Sequence, residues 1–147
     1  MTALRLVPAV HRATHRIGLY LASLREPALS QGEAHILARL ALHSPATIAD
    51  LHADLAHKRS TLTSILDRLA ARGLITREVG TEDRRTFVVA PTVKGRKAAR
   101  QVLDHLTALE TAVGRRATAE ELRAFLKVLA AIEDQAREAT RAARVRR

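Results

Sequence analysis

Apolar residues recur at helical spacing through most of the chain, and each run is punctuated by a capping signal or a breaker. Over residues 4–26 the positions Leu6, Val10, Ile17, Tyr20, Leu21 and Leu24 share a helical period. Pro8 is tolerated in the first turn, and Pro27 ends the segment. Ser30-Gln31-Gly32-Glu33 reads as a capping box that opens a second helix, with Ala34, Leu37, Leu40 and Ala41 as its apolar face. His43-Ser44-Pro45 breaks it. Thr47-Ile48-Ala49-Asp50 starts a third, short helix whose stripe is Ile48, Leu51 and Leu55. Ala56-His57-Lys58 is the expected turn, and the next helix runs from about Arg59 to Arg72, with Gly73 as its stop.

The period then changes. Leu74–Val79 and Thr86–Ala90 are strand segments around the charged tip Gly80-Thr81-Glu82-Asp83-Arg84-Arg85, and Pro91 closes the ribbon. Thr92 caps a long helix with Ala99, Val102, Leu103, Leu106, Leu109 and Val113 at three- to four-residue intervals, ending at Gly114. Thr118-Ala119-Glu120-Glu121 is another capping box, before a last helix with Leu122, Phe125, Leu126, Leu129 and Ile132 on one face and a basic end, RAARVRR. The pattern predicts a mainly α protein with a small β-ribbon (α+β). A winged helix-turn-helix lobe spans residues 29–91, within one domain over residues 1–147 whose remaining helices hold two copies together.

Composition narrows the function. Lys and Arg number 25 against 15 Asp and Glu, a net charge of +10, which favours a polyanionic partner, nucleic acid before membrane. No apolar run is long enough to span a bilayer. The opening MTALRLVPAVHRATHR lacks the apolar run of a secretory signal, so a cytoplasmic protein without a membrane partner is expected. The absence of cysteine excludes disulfides and thiolate metal sites. Aromatic residues make up 2%, so the core must be aliphatic, as in helix bundles.

The candidate chemistry lies on the helix after the turn. On a helical wheel Leu62, Ile65, Leu66 and Leu69 take one side, and Ser60, Ser64, Asp67 and Ala71 the other, flanked by Thr61, Thr63 and Arg68. Small hydroxyl side chains let a helix approach base edges closely, where they donate or accept, and a Thr methyl can meet a thymine methyl. Lys58 and Arg59 stand at the helix entrance, suited to phosphate. At the ribbon tip Asp83 can orient Arg84 or Arg85 for a narrow, strongly negative minor groove. An ordinary solvated helix face and a soluble hairpin tip would carry similar residues. The capped short helix before and the basic ribbon after favour DNA.

Taken together, RSTLTSILDRLAARGLI (Arg59–Ile75), EDRR (Glu82–Arg85) and TVKGR (Thr92–Arg96), in this order and spacing, resemble the MarR family of bacterial winged-helix regulators. The resemblance covers about residues 29–95. It implies a homodimer, with residues 1–28 and 92–147 as dimerisation helices, that presents two reading helices and two wings to a pseudo-palindromic operator. It places base reading on Ser60, Thr61, Thr63 and Ser64 and the minor-groove arginine on Arg84 or Arg85. It also implies a repressor released by a small-molecule effector held between the dimer helices and the lobe, near Arg16, Tyr20, Arg39 and His105. The chain departs from the family at Ala56-His57-Lys58, where many members carry Gly-apolar-Asp, and at Ser64, where many carry Arg. Loss of an acidic cap at the turn costs about 1 kcal/mol of helix stability.

Other functions leave weaker traces. His11 and His15 share a helix face, and with His35 or His105 they invite a zinc site, but no compact ligand set is visible, and no metal or cofactor is expected. There is no phosphate loop, nucleophile motif or paired carboxylate, so no enzyme is expected. The competing readings are a non-specific architectural DNA-binding protein, suggested by the charge and the basic tail, and an interaction module that no longer binds DNA.

Overall fold

The computed structural model describes residues 5–55, 58–81 and 86–145. Its elements are α1 (Leu6–Ser23), α2 (Gln31–Leu42), β1 (Ala46–Thr47), α3 (Ile48–Leu55), α4 (Arg59–Ala71), β2 (Ile75–Val79), β3 (Phe87–Pro91), α5 (Val93–Gly114) and α6 (Ala119–Val145). The fold is mainly helical with one small antiparallel sheet, as the hydrophobic pattern predicts. The chain divides into two compact units: residues 12–106, and the described parts of residues 1–11 and 107–147.

In the first unit the core is aliphatic. Leu21, Ile36, Leu37, Leu40, Leu51, Leu62, Leu66, Leu69, Val89 and Val102 are fully buried. Helix α2 is central, touching α3, α4 and β3. Its expected single face is therefore wrong in detail. Ile36 and Ala38 are also buried, while Ala41 is exposed, because a helix packed on several sides buries more than one stripe. The capping box is formed: Ser30 Oγ accepts from the Glu33 N–H at 3.3 Å, and the Glu33 carboxylate accepts from the Ser30 N–H at 3.2 Å.

The ribbon is a three-stranded sheet in the order β1-β3-β2, not the two-stranded one expected. β1 pairs Ala46 with Val89 and Thr47 with Val88, and two residues are too short to show a period. Thr47 serves twice. It ends β1 and caps α3, accepting from the Asp50 N–H at 3.0 Å while its own N–H reaches the Asp50 carboxylate at 3.0 Å. Thr47 Oγ1 also donates to the Asp50 carboxylate at 2.7 Å, and this bond, followed by the one from the Thr47 N–H, holds the Asp50 carboxyl below the usual carboxylate range. β2 and β3 pair from Ile75 with Pro91 to Val79 with Phe87, and the Gly80 N–H closes on the Thr86 carbonyl at 2.8 Å.

Helix α4 stops in a Schellman motif. Gly73 takes φ 67, the Leu74 N–H reaches the Leu69 carbonyl and the Gly73 N–H the Ala70 carbonyl, both at 2.9 Å. The start of α5 locks onto this turn. Thr92 Oγ1 donates to the Gly73 carbonyl at 2.7 Å and accepts from the Gly95 N–H at 3.0 Å, and the Thr92 N–H donates to the Leu74 carbonyl at 3.0 Å. Gly95 is needed there, since a Cβ would stand 1.8 Å from the Leu74 carbonyl oxygen.

In the second unit, Thr118 and Glu121 form the expected capping box of α6. The apolar side of α6 is only partly covered. Leu122, Leu129 and Ile132 are half-buried, and Phe125 and Leu126 are 50% and 63% exposed.

Candidate nucleic-acid interface

Helix α4 buries Leu62, Ile65, Leu66 and Leu69 and turns every other named position outward. Lys58, Arg59, Ser60, Thr61, Thr63 and Ser64 are all exposed and gather at its N-terminal half. Lys58 occupies the N-cap position, but its side chain caps nothing and no acidic residue stands in the first turn. The first-turn N–H groups thus face outward beside two cations, an arrangement the helix dipole disfavours unless an anion joins them.

The hydroxyls have a defined polarity. Thr63 Oγ1 donates to the Arg59 carbonyl and Ser64 Oγ to the Ser60 carbonyl, each at 3.0 Å. Their hydrogens are thereby spent on the helix. What they present outward is acceptor lone pairs and, for Thr63, a methyl group. Such groups suit the amino donors of adenine or cytosine and the methyl of thymine in a major groove.

Four ion pairs set the angle at which this face is offered. Arg39 of α2 meets Asp54 of α3. Arg77 of β2 meets Asp67 of α4 at 2.7 Å. Glu33 of α2 receives Arg68 Nε at 3.1 Å and Arg72 Nη1 at 2.9 Å from α4. The Arg77–Asp67 pair, with an exposed partner, contributes about 0–1 kcal/mol and matters here more for geometry than for stability, whereas the Glu33 carboxylate is buried. The Arg68–Glu33 pair changes the expectation for Arg68: it is exposed near the hydroxyl face, but its guanidinium is engaged by Glu33. No wheel predicted this, because the partner lies 35 residues away in sequence.

Beside the reading face runs an open groove of about 660 Å³ between the starts of α3 and α4 and the base of the hairpin. Thr47, His52, Arg59, Thr63, Thr86 and Phe87 line it. Phe87 is 54% exposed, and strand alternation hides this. It shares a face with buried Val89 and Pro91 but lies at the strand end, past the edge of the core. Ala56 and His57 of the turn and Glu82–Arg85 of the tip, including Arg84 and Arg85, lie outside the described residues.

The histidines sort differently. Tyr20 Oη and His105 Nδ1 are 2.9 Å apart, ring edge to face. Among the described residues no three His, Asp or Glu come together as metal ligands. No helix among them is long and apolar enough to cross a membrane.

A capped short helix, a second helix with a hydroxyl-rich outer face and a hairpin at its C-terminal end define a winged helix-turn-helix domain. Comparison with known proteins gives the class a family. Residues 29–87 match the model of the MarR family. An uncharacterised HTH-type transcriptional regulator, YwhA of Bacillus subtilis (strain 168), is 33% identical over 88 residues. That match spans 60% of this chain and 63% of the relative's length. A MarR protein from Peptoclostridium difficile has the same fold at 16% identity, with a TM-score of 0.81 over 95% of this chain and 93% of that one. A MarR family transcriptional regulator from Listeria monocytogenes, solved with a 26mer DNA, is 18% identical, with a TM-score of 0.77 over 92% and 89% of the two chains. Residues 29–87 thus carry a match to the MarR family, whose proteins are transcriptional regulators and not enzymes, and the described fold is that of solved MarR structures.

Proposed function

We propose that this protein is a sequence-specific transcriptional regulator of the MarR type. It acts in the cytoplasm as a homodimer, occupies a pseudo-palindromic operator and represses by blocking promoter access. The observation that carries this reading is the exposed N-terminal half of α4, where the hydroxyls of Ser60 and Thr61 and the acceptor hydroxyls of Thr63 and Ser64 stand beside Lys58 and Arg59. The two cations take phosphate and the hydroxyls read base edges. Arg84 or Arg85 reaches the minor groove from the hairpin tip. That the Listeria relative of the same fold was solved with a 26mer DNA supports a DNA partner. The exposed apolar side of α6 supports a partner copy. A small-molecule effector near Arg16, Tyr20, Arg39 and His105 releases the complex; the Tyr20–His105 contact gives it a polar anchor.

Fluorescence anisotropy with duplexes from the chain's own upstream DNA, at physiological salt, tests the reading. A preference over scrambled duplex on the order of a thousandfold is expected. Equal affinity for both would sink it and favour the second reading, a non-specific architectural DNA-binding protein. That alternative draws on the net charge of +10 and the uncapped, cationic entrance to α4.

A further inference from the structure

Glu33 is the one buried charged residue among those described, 4% exposed. Both carboxylate oxygens are engaged. Oε1 accepts from Arg68 Nε at 3.1 Å, and Oε2 accepts from Arg72 Nη1 at 2.9 Å and from the Ser30 N–H at 3.2 Å. A buried carboxylate is tolerated when it is paired and hydrogen-bonded in this way. The two arginines are not buried, with side chains 53% and 42% exposed. They also continue a ridge of the reading helix. Ser60, Ser64, Arg68 and Arg72 follow one another at i, i+4 spacing, neutral in front and cationic behind.

We propose that Glu33 is a specificity-determining positioning residue. It holds Arg68 and Arg72 back against α2, so that the helix meets DNA with its hydroxyls rather than with cations. The inference rests on the reading of α4 as the DNA-facing helix. A guanidinium on phosphate adds affinity whatever the sequence, whereas the hydroxyls add it only at matching base edges. Retaining the cations therefore lowers binding to random DNA more than binding to a preferred site. Arg68 is the sharper case, one turn from Ser64.

The test uses the duplex from upstream DNA that the wild-type protein binds best, and a scrambled duplex of equal length. Glu33→Gln removes the charge but keeps an oxygen for the Ser30 N–H, so the capping box survives. It is expected to tighten scrambled-duplex binding on the order of threefold to tenfold, to steepen its salt dependence by about 0.9 per freed guanidinium, and to lower the preference ratio accordingly. Arg68→Gln is expected to leave preferred-site affinity within about twofold and its salt slope unchanged. The double variant should return scrambled binding most of the way to wild type. A salt slope lowered by about 0.9 in Arg68→Gln would place Arg68 already on phosphate and overturn the proposal. So would equal weakening on both duplexes in Glu33→Gln, the mark of a purely structural role. If Glu33→Gln does not fold, as judged by circular dichroism, the Arg68→Gln slope alone decides. A wild-type protein without preference between the duplexes would overturn the reading of α4 itself, and this inference with it.

Discussion

Replacing Lys58 with Ser should move stability and DNA binding in opposite directions. Lys58 has φ −63 and ψ 146, the extended geometry of a capping residue, yet its side chain makes no capping bond. Its carbonyl already accepts from the Leu62 N–H at 3.0 Å, so the helix is entered correctly and only the side-chain acceptor is missing. A serine hydroxyl there can accept from the N–H of Thr61, three residues on. The gain is about 1 kcal/mol, the usual worth of a cap. In a protein of this size that raises the melting temperature by about 3–4 °C. The same change removes a cation from the proposed phosphate contact. The slope of log affinity against log salt should flatten by about 0.9, and at about 50 mM salt the affinity for any duplex should fall several-fold. Thermal melts by circular dichroism and anisotropy titrations at several salt concentrations measure the two effects on one sample. A melting temperature that does not rise would refute the argument that the missing cap limits α4. An unchanged salt slope would refute the placement of Lys58 at phosphate.

Three further outcomes follow from particular contacts. Gly95→Ala should destabilise the lobe by about 3 kcal/mol or more, measured by urea unfolding, because the new Cβ meets a backbone oxygen that is itself bonded to the Thr92 N–H. Asp50 caps α3 with a pKa lowered below its ordinary 3.8, so the unfolded chain binds its proton more readily. Its contribution is fully present above about pH 5 and is lost as the pH falls through the lowered value; Asp50→Asn should flatten the acid limb of stability below about pH 4, and an unaltered limb would contradict the assignment. Phe125→Glu, which charges the half-exposed apolar side of α6, should shift sedimentation from dimer to monomer with little change in helix content.

What could be read from the chain was whatever local physics decides. Serine and threonine caps, the Gly73 stop and the Pro45 break act over a few residues, and they located the helix starts to within two residues, whereas α1 stops at Ser23, short of the Pro27 break, and α6 continues to Val145. Leu62, Ile65, Leu66 and Leu69 share a face by period alone, so the outward position of Ser60, Thr61, Thr63 and Ser64 followed before any packing was known. Tertiary structure decided what depends on a partner distant in sequence. β1 exists only because β3 pairs with it across 41 to 43 residues. Phe87 is exposed because the core ends before its strand does. The burial of α2 on several sides comes from neighbours that its own sequence does not name. Arg68 stood on the reading helix as one more cation for DNA. The fold instead gives its guanidinium to Glu33, because desolvating that carboxylate requires a positive partner and α4 supplies two.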